Sequence, residues 1–382
     1  VSSTFQRYSG KGKSRRSVSF ITTIHKYLMV QKIVIPHSRP TLDGGDVSSV
    51  SEVIRSGQIA QGKVVGDFEK KVAKYIGVNG AAATSTGTSA LHLALLALGI
   101  RKGDHVAIPG FVCSALLNVV KYVGAHPILV DVDPETYNID IHDLKKRIKK
   151  STRAIILPHQ FGLPADIDEV MSLGVPVVED CAQAIGAVYK GKKVGSFGSL
   201  SCFSFYATKV LSTGEGGMVT SNSKSLLKKI RDLREYDNKR SYSVRYNYKM
   251  TDIQAAMGMS QLKKLNSFLV RRAKIAKRYF SELQGLCDLP AVSYKDRRHI
   301  FFRFLIQIHG SVSKALEFFS ESGVTCMRPV YKPLHKYLHI QGFPNSDAVW
   351  NKTISVPIYP SLTDKEICKI LDVLKQYLKG KA

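Results

Sequence analysis

Three short segments carry side chains that could serve one ligand. The first is Ser85-Thr86-Gly87-Thr88-Ser89-Ala90-Leu91-His92, a hydroxyl-rich start to an apolar helical run. A helix N-terminus presents unpaired N–H groups and a partial positive charge, so it holds a phosphate well, and hydroxyls add donors. Thr88 or Ser89 could equally be a plain N-cap, the commoner use of such residues. The second segment is Val177-Val178-Glu179-Asp180-Cys181-Ala182-Gln183. A buried strand ending in Asp sets a carboxylate at the carboxyl edge of the sheet, where open α/β folds bind ligands. Such a carboxylate can pair with a protonated ring nitrogen; taken singly, it reads as a cap for the next helix. The third is Ser204-Phe205-Tyr206-Ala207-Thr208-Lys209, followed by Thr213-Gly214-Glu215-Gly216-Gly217. Lys209 is the sole charge in 194–214, and a lysine in partly apolar surroundings can become a nucleophile toward carbonyls. Ser204 could bind the phosphate of the same ligand, and the glycines let the backbone pass close. A phosphate cradle, an acid for a pyridinium nitrogen and a Schiff-base lysine together fit pyridoxal 5'-phosphate.

The elements that must position these groups follow from periodicity. Amphipathic helices are predicted over 47–55 (ending at Gly57) and 64–75, and a buried helix over 90–98 with Gly99 as its stop. Short β runs at 105–108, 127–130, 154–157 and 175–178 are separated by helical stretches at 116–122, 141–149 and 167–173. This alternation predicts βαβ units and an α/β fold with a mainly parallel sheet covered by helices on both faces. A further β run, 200–206, lies between glycine-rich segments. A long helix over 252–284, a strand-like 299–309 and helices at 313–322 and 364–378 then predict a smaller α+β C-terminal domain. No internal repeat is visible.

The 382 residues allow two domains or one large one with an appendage, enough to bury a substantial core without staples. With 44% hydrophobic residues the chain is not intrinsically disordered, and no apolar run approaches a membrane span, Lys121 interrupting the best one. Six scattered cysteines without metal-ligand spacing argue against a zinc site or a disulfide framework and point to reduced thiols in a cytoplasm. The net charge of +26 favours anionic ligands but says nothing about fold. Arg234, Lys239, Arg240, Arg245 and Lys249 are interleaved with Tyr236, Tyr242, Tyr246 and Tyr248. That segment could meet a diphosphate, could stack nucleic-acid bases, or could be a solvated basic loop. Residues 1–28 hold six basic side chains, no acid and many Ser/Thr, in the manner of a transit peptide. Met29 precedes the first strand-like run, so the expectation is that 1–28 form a disordered or non-native extension.

Further matches lie in Ser56-Gly57-Gln58-Ile59 with Gly62, Pro158-His159-Gln160-Phe161-Gly162 before Asp166, Tyr246-Asn247-Tyr248-Lys249-Met250-Thr251-Asp252 and Pro357-Ile358-Tyr359-Pro360. With the three segments above, they make the chain resemble the DegT/StrS family of nucleotide-sugar aminotransferases, fold type I pyridoxal phosphate enzymes, from about Ile35 to the C-terminus. The resemblance implies a large cofactor-binding domain (29–265) and a small domain (266–382). It implies that Lys209 forms the internal aldimine and then shuttles protons, that Asp180 keeps the pyridine nitrogen protonated, and that Gln183 lies near the ring hydroxyl. Thr88, Ser89 and Ser204 bind the cofactor phosphate, and Asn247 reaches it from the neighbouring subunit of a homodimer. Tyr331-Lys332-Pro333-Leu334-His335 matches a sugar-side segment, making Tyr331 and His335 substrate residues; an ordinary loop histidine is the competing reading. Where many relatives stack an aromatic on the cofactor, this chain has Cys113; either the thiol packs on the ring or Phe111 supplies the stacking. A lysine rather than a histidine at 209 favours amino transfer over dehydration. The implied reaction is ping-pong: an amino donor, glutamate, then a keto sugar on a nucleoside diphosphate. A ketocyclitol acceptor, or an inactive basic binding protein with the same fold, are the alternatives. No metal, nucleic acid or membrane is expected.

Overall fold

The computed structural model describes residues 34–291 and 294–380; the expectation for 1–28 lies outside these. The strands are β1 (Gly80–Thr84), β2 (His105–Pro109), β3 (His126–Val130), β4 (Thr152–Pro158), β5 (Val177–Asp180), β6 (Val188–Tyr189), β7 (Lys192–Lys193), β8 (Leu200–Ser204), β9 (Gly217–Ser221), β10 (Arg297–Arg298), β11 (Phe304–Gln307) and β12 (Thr353–Val356). Seven of them form one sheet in the order β1-β9-β8-β5-β4-β2-β3. Neighbours from β8 through β5, β4 and β2 to β3 are parallel, and β9 runs against both β1 and β8.

Side chains alternate between the two faces of this sheet, as the period of two requires. Val106, Ile108, Ala154, Ile156, Val178 and Cys202 pack with Leu91, Leu93 and Leu95 of the helix Gly87–Ala97. Ala107, Ile155, Leu157, Val177 and Phe203 face a second cluster with Phe68, Val72 and Leu265. Both faces are thus covered by helices, which is why the strands read as short continuous apolar runs.

The expected strand over 299–309 narrows to β11, because Phe301 takes a left-handed turn (φ 51°) and β10 pairs separately with β6. Its antiparallel partner β12 and the helix before it, Pro344–Lys352, are not foreseen: Pro, Asn, Ser and Asp at that helix start read as loop. β1 is also missed, since Gly-Ala-Ala-Ala-Thr has almost no β propensity and is a strand only because it pairs along β9.

One helix, Asp252–Leu283, opens with a capping box between Thr251 and Gln254 and runs through residue 265. Its Ala255, Leu265 and Phe268 join the core under the large sheet, while Ile275, Tyr279, Phe280 and Leu283 join a separate core with β11 and β12. We propose that the large and small domains share this helix, so that the division near 265 falls inside one element. No described helix is long and apolar enough to cross a membrane.

Candidate active site

The carboxyl ends of β5 and β8 and the start of the helix Gly87–Ala97 converge on a cavity of about 370 Å³. Thr86, Gly87, Thr88, Cys113, Asp180, Ser204, Tyr206, Lys209 and Glu215 are among its lining residues. Segments more than a hundred residues apart in sequence therefore meet at one sheet edge, as an open α/β fold requires of a ligand site.

The helix is capped by Thr86, whose hydroxyl accepts the Ser89 N–H at 3.0 Å; neither Thr88 nor Ser89 is the cap. The amides of Gly87 and Thr88 come before any intrahelical acceptor and face the ligand end of the helix. Gly87 is required here: a Cβ would stand 2.7 Å from the Ser204 Cβ, so glycine lets the helix start lie against the end of β8. Thr88 and Ser204 thus flank the same cavity. Ser89 does not: it is buried, its hydroxyl bonded to Ser85 at 3.1 Å and Thr86 at 2.9 Å. Its expected place on the phosphate is taken up by these local bonds.

Asp180, the last residue of β5, accepts the Ala182 N–H at 3.0 Å. Burial pushes its carboxyl above the ordinary range, with the Ala182 amide and the Lys209 and His159 sides pulling the other way. A desolvated carboxylate of this kind is relieved by a cation placed against it, which is what a pyridinium nitrogen supplies. Glu179, one residue earlier, points to the other face. It accepts from the amides of Gly195, Phe197 and Gly198 (each 2.8 Å), from Ser201 Oγ at 2.9 Å and from His159 Nε2 at 3.0 Å. The Ala165 amide donates to His159 Nδ1 at 3.1 Å, so the ring proton sits on Nε2. Glu179 and His159 come within 4.8 Å of Cys181, the one such metal-capable trio among the described residues, but both groups are engaged with protein. Their task is to lock the end of β5, and hence Asp180. Glu179→Ala, which orphans these donors, should cost about 3–5 kcal/mol of stability, read from the denaturant midpoint; a loss under about 1 kcal/mol would show the loop is held elsewhere.

Lys209 follows β8 in a turn closed by its own amide on the Tyr206 carbonyl at 2.8 Å. Its Nζ lies 5.1 Å from the centroid of the Phe302 ring. Burial lowers its ammonium pKa below the lysine range; Cys113 and Asp180 oppose this and Arg303 adds to it. The result is an amine readier to be neutral, as carbonyl attack requires.

Cys113 keeps accessible surface where it lines the cavity, and the surrounding protein pushes its thiol pKa up. Phe111 is fully buried, edge-on to Phe161, with its carbonyl accepting from Gln160 Nε2 at 2.6 Å. Of the two expected ring partners, only Cys113 borders the cavity.

Other expected site residues stand apart from it. Gln183 Oε1 accepts the Phe161 N–H at 2.9 Å and is not among the lining residues. His335 is buried, stacked on Phe343 and bonded through Nε2 to Asp347 at 3.1 Å. Tyr331 is 85% exposed, and Asn247 is exposed and also outside the lining. The basic segment is largely self-neutralised. Arg234 is buried on Glu69 at 2.6 Å, Arg245 pairs with Asp232 at 3.1 Å, and Lys249 with Asp237 at 2.6 Å. Lys239 approaches Asp232 and Glu235 at 3.4 and 3.8 Å. Its cations are thus mostly spent on neighbouring acids rather than presented to a diphosphate. Sequence reasoning passed over Tyr206, which lines the cavity, and Arg303; the signal for the latter is a lone charge in the apolar run 300–306.

The sequence profile of the DegT/DnrJ/EryC1/StrS aminotransferase family matches residues 40–375. The chain belongs to that family. GDP-perosamine synthase of Vibrio cholerae is 34% identical over 369 residues, covering 90% of this chain and 99% of that protein. GDP-perosamine synthase of Caulobacter vibrioides is 36% identical over 361 residues, covering 89% and 97%. Among solved structures, the PLP form of Spr1654 from Streptococcus pneumoniae superposes with a TM-score of 0.86 at 25% identity, covering 91% of this chain and all of that one. This family member is a pyridoxal-phosphate-dependent aminotransferase of fold type I. Its cavity fits that cofactor in three respects: free helix amides beside two hydroxyls, a desolvated carboxylate, and a lysine whose ammonium is disfavoured.

Proposed function

We propose that this aminotransferase moves an amino group from glutamate onto a keto sugar carried by a nucleoside diphosphate, with Lys209 as the amine that links covalently to the cofactor. The observation that carries the reading is the meeting of Lys209, Asp180, Thr88 and Ser204 around one cavity. The acceptor class rests on the relatives, two of which are named for making GDP-perosamine; a GDP-linked keto sugar is therefore the first acceptor to try.

Bound pyridoxal phosphate supplies an aldehyde for the amino group and a ring that draws electrons from the adjacent carbon. In this reading, Thr88, Ser204 and the amides of Gly87 and Thr88 hold the phosphate. Asp180 keeps the ring nitrogen protonated, and its partner amide at Ala182 fixes the carboxylate's direction. Lys209 Nζ would hold the cofactor covalently and, as a free amine, would move a proton to and from the substrate carbon. The low-dielectric wall that depresses its pKa keeps it near the neutral form this step needs. Cys113, which lines the cavity, would pack on the ring where many relatives have an aromatic.

The proposed functional unit is a cytoplasmic homodimer in which Asn247 serves the second copy's phosphate; its exposure, off this chain's own cavity, is compatible with that place. Gln183, Ser89 and His335, engaged with protein groups outside the cavity lining, are proposed to support the site rather than to touch the cofactor.

The decisive experiment loads the enzyme with pyridoxal phosphate, adds glutamate, and then offers GDP-, UDP- and dTDP-linked keto sugars, following amino-sugar nucleotide by mass spectrometry. Formation of 2-oxoglutarate without any amino sugar would remove the acceptor assignment. Cys113→Phe adds ring contact at an open cavity wall, so cofactor affinity should stay unchanged or rise, by up to about tenfold; a large loss in a spectroscopic titration would mean that Cys113 is not beside the ring.

A further inference from the structure

Beside the cofactor cavity lies a second one of about 470 Å³, lined by His37, Tyr206, Thr208, Arg272, Phe302 and Arg303 among others. Tyr206 borders both cavities. The ring of Phe302 joins them more closely: Lys209 Nζ lies 5.1 Å, and the Arg303 guanidinium carbon 5.6 Å, from its centroid.

This second cavity has two arginines and no acid in its wall. Arg272 spends Nη1 on the carbonyls of Phe301, Phe302 and Ile358 (3.0, 3.2 and 2.8 Å), while its buried Nε has no acceptor. Arg303 has one side-chain partner, donating from Nη1 to His37 Nε2 at 3.2 Å. That histidine is neutral: burial and the two arginines push its pKa down to about 3, and Ser355 Oγ sits at 2.8 Å from the same nitrogen. Neither guanidinium makes an ion pair among the described residues. Burial without a counter-charge lowers Arg303 to about 10 and Arg272 to about 9. An unpaired cation held away from water is costly and is kept where an anion will complete it.

We infer that Arg303 binds the α-carboxylate of the amino-acid donor. The inference rests on the reading that the donor is an α-amino acid, and it says which residue of this chain recognises it. In such a donor the carboxylate is bonded to the carbon that bears the amine, so it must lie close to whatever the amine reacts with. Arg303 shares a ring with the reacting lysine, and its fork can take both carboxylate oxygens. The diphosphate of a sugar nucleotide is several bonds removed from the keto carbon and fits this position less well. The acid-free wall rejects nothing anionic, and Asp180 faces the other cavity. Arg272, with its Nη1 committed to carbonyls, supplies field rather than a direct contact.

The test separates the two half-reactions by stopped-flow absorbance on loaded enzyme. Glutamate, glutamine and alanine are mixed with the aldehyde form, and a keto sugar nucleotide with the amine form. Arg303→Ala should raise the half-saturating concentration of every α-amino acid by about 30- to 1,000-fold, leaving the sugar half-reaction within about threefold. Arg303→Lys should recover part of the loss, and Arg303→Gln gives the neutral comparison should the alanine variant fold poorly. Binding of α-methylglutamate, which has no α-proton to lose, should weaken in parallel by spectral titration. An unchanged donor half-reaction would overturn the inference, as would a loss confined to the sugar half-reaction or one shared equally by both with cofactor retained. If wild type takes its amino group from another α-amino acid, only the glutamate assignment falls and the same variants decide the role of Arg303. If no α-amino acid converts it, the donor reading and this inference fall together.

Discussion

Lys209→Ala should abolish amino transfer in both directions, lowering turnover by at least about 10⁴-fold. Two proposed functions would disappear with one amine: the covalent hold on the cofactor and the base that moves the substrate proton. Their loss can be read separately. Borohydride treatment, which fixes the cofactor to the wild-type chain as a stable mass increase, should leave the variant's mass unchanged. The proposed phosphate cradle of Thr88, Ser204 and the helix amides is untouched, so the variant should still bind cofactor reversibly. A variant that retained turnover within tenfold, or still trapped cofactor on reduction, would place the reactive amine elsewhere.

Asp180→Asn ranks second in expected effect. The substitution keeps shape and can still engage the Ala182 region, but it removes the negative charge proposed to face the ring nitrogen. Breaking a buried charge pair by neutralising one partner costs about 2–5 kcal/mol, here appearing as a fall in turnover of about 30- to several-thousand-fold. The raised carboxyl pKa of the free protein gives a further signature: burial destabilises the ionised form, and the pyridinium restores it. Binding of the cofactor as its pyridinium form should therefore lower the Asp180 pKa toward, or below, its ordinary value, and wherever the free carboxyl is still protonated that binding should release its proton. The asparagine variant should show no such release. Equal activity in D180N and wild type would show that the nitrogen is held protonated without residue 180.

The site was legible in the chain because its chemistry is written in short, ordered segments. The hydroxyls before an apolar helix, the Asp closing a β run and the solitary Lys209 each depend on residues within one turn or one strand, and strand period two separates Glu179 from Asp180. Gly62 illustrates the limit of such reading. It stands out as a motif residue, but its reason is tertiary: its amide, with those of Val64 and Val65, binds the Asp252 carboxylate (2.8, 3.2 and 2.9 Å), and a Cβ there would come within 2.9 Å of it. Ser89, expected on the phosphate, is likewise placed by tertiary detail: its hydroxyl lies on those of Ser85 and Thr86, and Thr86 takes the cap. The basic segment misled because charge counted along the chain does not reveal pairing: Arg234 meets Glu69 across 165 positions.

By itself, then, the order of residues determined the α/β class, the cofactor, and the lysine and carboxylate proposed to serve it. Periodicity and motif chemistry are local properties, and a parallel sheet must bring its strand ends to one edge. Only the folded chain decided that Cys113 and not Phe111 borders the cofactor cavity, that His335 and Gln183 are engaged elsewhere, and that Arg303 shares Phe302 with Lys209. Those choices depend on which side chains neutralise or bury one another across long separations, as with His37 and Arg303, 266 residues apart. Long-range packing selects among locally equivalent side chains, and no spacing in the sequence encodes that selection.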